Sequence, residues 1–173
     1  MIGFGSVDMR VMADDVQMAF RAKGFRVWAD EFVYATDRIA MPGDATLQPR
    51  VIRFDPDSYF VHLANAVSIR NAAGVEGFAP TIGIQIRDAD CGFCFSDDQA
   101  GPIPAQLQAG SASQPYILAA PYVWQPGGRA LVTFRTLNIG ASRATIQLCL
   151  WGLKLFTRPF TKQSFDKVGF AEH

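Results

Sequence analysis

Between residues 25 and 156, short apolar segments alternate with polar residues and are separated by turn residues. The clearest is residues 81–87 (TIGIQIR), in which three isoleucines alternate with Gly, Gln and Arg. Such alternation puts one face of a β-strand in a core and the other toward solvent. Turn signals such as residues 55–58 (DPDS) and 125–128 (QPGG) come between the segments. About eight or nine such strands with a single helix predict a mainly β fold, an antiparallel β-sandwich of the jelly-roll type.

The helix pattern precedes this region. Five apolar residues recur there at spacings of three and four, which places them on one helix face: Met9, Met12, Val16, Ala19 and Phe20. Ser6 can cap the start of the helix and Gly24 can end it. We therefore expect a helix over about residues 7–22, packed either on its own domain or on a neighbouring subunit. The predicted organisation is a helical segment (1–24), a β-sandwich domain (25–156) and an extended C-terminal arm (157–173).

The last predicted strand, residues 144–156, changes its pattern partway along. Leu148 and Leu150 share one face, whereas Leu153 and Leu155 follow Gly152 in the opposite phase. A bulge near Gly152 explains the change, because one extra residue moves all later side chains to the other face. Residues 99–115, rich in Gly, Pro, Ser, Ala and Gln, predict a long loop.

The C-terminal arm carries three phenylalanines, Phe160, Phe165 and Phe170, at five-residue spacing among polar residues. The sequence leaves three alternatives open for the arm. It folds back on its own sheet, it docks its rings into grooves on a neighbouring chain, or it is disordered. We take the three rings as candidate partner-contact residues.

The composition narrows the function classes. Charged residues make up 18% of the chain and the formal net charge is zero, which argues against disorder and against nucleic-acid binding through excess positive charge. No apolar run in the sequence is long enough for a membrane helix, and residues 1–6 lack the basic and apolar pattern of a secretory signal, so we expect neither. Fourteen Phe against 4 Tyr and 3 Trp are many rings for a small domain to bury, which favours a homo-oligomer or another assembly.

Three cysteines, Cys91, Cys94 and Cys149, form an odd set. Cys91 and Cys94 have C-x-x-C spacing, but a strand and a turn, rather than a helix start, are expected around them, so a redox role is disfavoured. Only His62 and His173 are available with Cys149 to complete a zinc site, at no recognisable spacing. We expect three free thiols on strands in a reducing compartment, and no metal or other cofactor.

Other candidate chemistry is sparse. No nucleophile-elbow, P-loop or zinc-protease motif occurs, and His62 lies within an apolar strand segment, so we expect no enzyme. Three aspartate pairs admit calcium, but turn hydrogen bonding explains them better: Asp55/Asp57, Asp88/Asp90 and Asp97/Asp98. Three tryptophans are candidate sugar-stacking platforms, although strand tryptophans more often lie in cores: Trp28, Trp124 and Trp151.

Four segments occur in a suggestive order: residues 55–60 (DPDSYF), 82–88 (IGIQIRD), 122–128 (YVWQPGG) and 147–156 (QLCLWGLKLF). They resemble a class of tailed-bacteriophage virion proteins, with a D-S-x-F-like stretch, a strand ending in an Asp turn, a proline-containing strand and a terminal L-x-G-x-K-x-F strand. The resemblance covers about residues 25–156 and carries over no site residues. It implies a β-sandwich virion component on the capsid exterior or near the head–tail junction.

We therefore expect a non-enzymatic cement or decoration protein that binds the major capsid protein or other virion proteins. It would assemble in the host cytoplasm, where free thiols persist, and would contact neither nucleic acid nor membrane. A head–tail adaptor, collar or tail component is the first alternative, and a carbohydrate- or receptor-binding β-sandwich is the second.

Overall fold

A computed structural model describes residues 7–77, 81–96, 101–138 and 143–159. One α-helix, α1 (Val7–Ala22), comes first, as the sequence predicts. Nine antiparallel strands follow: β1 (Phe25–Ala35), β2 (Ile39–Met41), β3 (Gln48–Arg53), β4 (Tyr59–Asn71), β5 (Ile82–Asp88), β6 (Ile103–Pro104), β7 (Tyr116–Trp124), β8 (Arg129–Thr136) and β9 (Ala144–Pro159).

The strands form two sheets. One has the order β1-β9-β4-β7, with β2 also paired to β9, and the other has the order β3-β8-β5-β6. β2 continues β1 along the same edge of β9, and Thr36 joins them: its backbone N–H donates to Leu148 O at 2.9 Å, and its Oγ1 accepts from Leu148 N at 3.1 Å. β1 and β2 therefore lie along one edge of the five-stranded sheet like one interrupted strand, and the other sheet has four strands.

The pairing is nested. β1 pairs with β9, β3 with β8, β4 with β7 and β5 with β6. The chain is thus one long antiparallel hairpin that rolls up, and the β4–β9 and β5–β8 pairs join its neighbouring parts. This is jelly-roll connectivity, and it confirms the fold class predicted from the sequence.

Two cores lie on opposite faces of the β1-β9-β4-β7 sheet. The inter-sheet core holds the predicted alternating isoleucines Ile82, Ile84 and Ile86, all at 0% exposure, together with aromatic rings at one end. The second core lies between the outer face of the sheet and α1, where Met9 and Ala13 are buried. Ala13 takes the place that the sequence pattern gave to Ala19, which is exposed. The helix therefore packs on its own domain.

An irregularity lies near Gly152, as predicted, but its extra residue is on β4 and not on β9. Leu150 faces the inter-sheet core whereas Leu153 and Leu155 face the helix, so the change of phase marks a change of core along a strand in unbroken register with β1. The irregularity is on β4, where the pairing with β9 shifts between His62 and Ala64. Opposite it, a Cβ on Gly152 would lie 1.9 Å from Val61 O, so this position accepts only glycine.

β9 also runs three residues beyond the predicted strand end. Residues 157–159 pair with Phe25, Arg26 and Val27 and so form part of the sheet. Residues 160–173, with Phe160, Phe165 and Phe170, lie outside the described residues.

The predicted loop over residues 99–115 is in part ordered against the sheet. After β6, a short 3-10 helix (Ala105–Leu107) leads to Gly110. Gly110 N donates to Asn65 O at 3.2 Å, and Gly110 O accepts from Val67 N at 2.7 Å. These bonds hold the segment beside β4, where Ala105 and Ala109 are fully buried.

Candidate functional site

A concave feature lies at the β6 and β7 edges of the sandwich and is called here the aromatic cleft. It has a volume of about 390 Å³, within the usual range for ligand sites. Its lining residues are Asn65, Phe93, Phe95, Ile103, Leu107, Gln108, Tyr116, Leu118, Ala119, Ala120, Pro121 and Tyr122.

A departure of β7 from regular pairing helps to form this cleft. His62 pairs with Tyr122, but Ala64 pairs with Ile117. β7 therefore advances five residues where β4 advances two, and residues 118–121 have no partner on β4. All four of these residues line the cleft. Bulges of this kind are frequent beside binding sites because they redirect side chains.

The segment after β5 supplies the facing wall. Cys91, predicted to lie on a strand, lies in a turn instead: Asp88 N donates to Phe93 O and Gly92 N donates to Asp88 O. Gly92 has φ +78°, a conformation that favours glycine. The chain then runs back along β5, with Phe95 N donating to Ile86 O at 3.0 Å.

This reversal places two rings beside Tyr122. Phe93 stacks on Tyr122 with centroids 5.0 Å apart and planes 14° apart, and Phe95 meets Tyr122 edge-on at 5.0 Å. Phe95 also stacks on Trp124 at 5.7 Å, which joins the cleft wall to the inter-sheet core.

Asp88 anchors the turn and Tyr122 together. Its Oδ2 accepts from the Tyr122 hydroxyl at 2.8 Å, and its Oδ1 accepts from the backbone N–H of Asp90 and Cys91. Burial acts to raise the pKa of Asp88, but these hydrogen bonds outweigh it and lower the pKa. Burial, together with Cys91 and Asp88, raises the pKa of Tyr122. Tyr122 therefore stays a neutral donor to a carboxylate.

The other aspartates of the predicted pairs also have protein partners where they are described. Asp90 accepts from the guanidinium and backbone N–H of Arg129, whereas Asp55 accepts from Tyr34 and pairs with Lys154. Asp97 and Asp98 lie outside the described residues. The partners seen for Asp88 are those of turn chemistry, the interpretation favoured from the sequence. Among the described residues, no group of three or more His, Cys, Asp or Glu side chains is placed to hold a metal ion.

The inner end of the cleft is polar. Asn65 is 2% exposed and Gln108 is 6% exposed; Asn65 Nδ2 donates to Gln108 O at 3.0 Å, while Asn65 Oδ1 accepts from His62 Nε2 at 2.7 Å. Burial lowers the pKa of His62 to about 4, against the opposing effect of the Asn65 bond. His62 is therefore neutral at pH 7, with its proton on Nε2. Sequence reasoning placed His62 in a core strand, where it lies, but missed Asn65 and Gln108.

The side-chain amide of Gln108 is unusual. Its Nε2 and Oε1 are both buried and have no hydrogen-bond partner among the described residues. Leaving a buried donor and acceptor unpaired costs about 1–3 kcal/mol each. A ligand or water that supplies both partners is therefore favoured.

None of the twelve described residues that line the cleft carries a carboxylate, a thiol, an imidazole or a cationic group. With aromatic walls, two phenol hydroxyls and two carboxamides, the cleft suits binding of an uncharged group with apolar surface.

None of the three cysteines is among the described residues that line the cleft. The three thiols are free; Cys91 is exposed, with Sγ 3.4 Å from Tyr122 Oη. Cys149 is half-buried on β9, and burial raises the pKa of its thiol. Cys94 Sγ lies 3.7 Å from Ser96 Oγ. Of the three, only Cys149 is on a strand.

The candidate sugar platforms are divided. Trp124 and Trp151 are 1% and 7% exposed, in the two cores, whereas Trp28 is 44% exposed. Trp28 stacks on Phe156 with centroids 5.5 Å apart and planes 9° apart, and the Arg158 guanidinium lies 5.5 Å from its ring centroid. This pair forms a second exposed aromatic surface near the C-terminal end of β9.

Within the described part of the chain, no helix is long and apolar enough to cross a membrane. Comparison with protein-family models, with curated proteins and with solved structures finds no match to this chain.

Proposed function

We propose that this chain is a non-enzymatic structural component of a tailed-phage virion, a cement or decoration protein that binds the capsid and stabilises it. The observation that carries the proposal is the jelly-roll connectivity. Viral capsid proteins use this architecture, as do lectins and cupins. The four segments that resemble phage virion proteins support the choice among these classes.

Those four segments have a clear place in the fold. They are the turn into β4, strand β5 with its Asp88 turn, the end of β7 with the turn that follows, and most of β9. In the β7–β8 turn, Gly128 N donates to Gln125 O at 2.9 Å and Gly127 has φ +72°, which a type II turn with Pro126 requires. The resemblance therefore rests on residues that determine how the jelly roll turns.

The surface supports assembly as well. Large apolar side chains are exposed at several separate places: Val11, Met18, Trp28, Val33, Leu47, Val51, Val75, Phe93, Leu107 and Tyr116. Scattered exposed apolar residues are ordinary, but Phe93, Leu107 and Tyr116 gather at one cleft. A local apolar site of this kind suits contact with a partner.

The test is to prepare particles from a genome that lacks this gene and to add back the purified chain. We expect the chain to co-sediment with the particles and to raise the temperature at which they rupture. An unrelated β-sandwich protein of similar size is the control. Failure to co-sediment, with no change in rupture temperature, contradicts the proposal.

A carbohydrate- or receptor-binding function is the second candidate, favoured by the exposed Trp28–Phe156 pair. It expects glycan binding that is lost in Trp28→Ala and kept in Val51→Ala, a truncation at a similarly exposed site on β3. Equal glycan binding by both variants, or none by the wild type, excludes this surface as a sugar site.

A further inference from the structure

The aromatic cleft has the chemistry of a peptide-docking site. Its rim residues Phe93, Leu107 and Tyr116 are 49%, 61% and 45% exposed, so apolar area remains for a partner to cover. Covering these side chains is favourable because it removes apolar surface from water. Inside, the Gln108 carboxamide offers one donor and one acceptor without partners among the described residues. A backbone peptide group carries the complementary acceptor and donor.

The chain itself contains a segment of matching chemistry. β9 ends at Pro159, and fourteen residues follow it (FTKQSFDKVGFAEH). They include three phenylalanines, and their two lysines are balanced by one Asp and one Glu. A segment whose side-chain charges cancel and whose rings are regularly spaced suits a cleft whose described lining residues are aromatic, aliphatic and carboxamide side chains.

The direction of β9 indicates whose cleft the segment reaches. The cleft lies level with the point on β9 where Gly152 pairs with His62, which in turn pairs with Tyr122. From Gly152 the strand runs seven residues, about 23 Å, away from this level before it ends at Pro159. A tail that continues along the strand leaves its own domain, and its extended length of about 46 Å allows it to meet another copy.

We propose that residues 160–173 of one copy dock in the aromatic cleft of a second copy, with Phe165, the middle ring, as the anchor. The inference deepens the proposed assembly function and rests on it. The docked segment covers the exposed rim, and one of its peptide groups pairs with Gln108.

The test is photo-crosslinking in the full chain, with p-benzoylphenylalanine in place of Phe165. We expect a crosslinked species of twice the chain mass on a denaturing gel, and peptide mapping should place the link on residues 93–95 or 103–122. Ala119→Trp fills the cleft at an exposed lining position. It should lower the yield about tenfold, the factor that corresponds to a loss of 1.4 kcal/mol of contact.

Ala40→Trp is the matched control, because Ala40 is an exposed alanine on β2 outside the lining. It should leave the yield unchanged, and circular dichroism should show wild-type folding for both variants. Links within a single chain, links that map outside the cleft, or no effect of Ala119→Trp each overturn the proposal. Because the assay uses isolated protein, a cleft contact without particle binding refutes the proposed function and leaves this inference standing.

Discussion

Gly152→Ala tests the central packing of the β1-β9-β4-β7 sheet. The new Cβ would lie 1.9 Å from Val61 O and 2.9 Å from both Val61 C and a Phe60 ring atom. Ordinary contacts begin near 3.4 Å and the new contact would be at 1.9 Å, so β4 and β9 must separate by about 1.5 Å at this point. The obstacle is a backbone oxygen within a paired strand, which cannot rotate away as a side chain does. Overpacking of this kind costs about 1–3 kcal/mol, and we expect the upper end, about 3 kcal/mol.

The assay is urea unfolding at fixed protein concentration, followed by tryptophan fluorescence. In a thermal unfolding experiment on the same variant, a loss of about 3 kcal/mol should lower the melting temperature by about 6–12 °C for a chain of this size. Gly77→Ala is the matched control, because a Cβ there meets nothing within 4 Å, and its effect should stay within about 0.5 kcal/mol. If Gly152→Ala is as stable as this control, β4 does not approach β9 as described and the reasoning is refuted.

Three further predictions concern titratable and hydrogen-bonding groups. His62 has a folded-state pKa of about 4, below its usual 6.5, so the unfolded chain binds the proton first. The free energy of unfolding should therefore fall by about 3 kcal/mol as pH drops from 6.5 to 4. Urea unfolding at several pH values should show a weaker pH dependence of this free energy for His62→Gln, and an equal pH dependence would contradict the assignment. Tyr34→Phe removes a donor to Asp55 Oδ2 and the acceptor of Asp55 N–H; it should cost about 1–2 kcal/mol at pH 7, and an unchanged unfolding midpoint would be evidence against that network. Iodoacetamide at pH 8 should modify exposed Cys91 before half-buried Cys149, whose thiol pKa is raised by burial, and denaturation should abolish the difference; equal native rates by peptide mapping would contradict the burial.

The fold class could be predicted because its signals are local. Alternation in residues 81–87, turn residues in 125–128 and helical spacing before Gly24 each follow from the periods of regular structure. β2 was missed, since three residues (Ile39–Met41) are too few to show a period. The strand order was also beyond local patterns, because the first strand pairs with the last.

The change of phase after Gly152 shows that the local sequence pattern does not reveal which elements cover the two faces of a strand. From the sequence, opposite faces on either side of Gly152 indicate an inserted residue. In the structure, Leu150 and Leu153 are both buried because different elements cover the two faces of β9, the second sheet and α1. Burial on both faces is a tertiary property, and the sequence offers no local sign of it.

The cleft was beyond sequence reasoning for a similar reason. Its two walls are the Phe93–Phe95 segment and β7. They are held together in part by the hydrogen bond that the Tyr122 hydroxyl donates to Asp88, 34 residues away in the sequence. Gln108 lay in a segment read as a loop, with no signal that its amide would be buried. Phe165 and its neighbours remain sequence-based candidates.

The most direct test of the proposed function is the copy number and position of this chain in purified particles. Quantitative mass spectrometry should be combined with an image reconstruction of the capsid. We expect a copy number in fixed ratio to the major capsid protein, with density between capsid subunits on the outer surface. A single ring of copies at the head–tail junction would assign the chain to the adaptor class, and absence from the particle would contradict the proposed function.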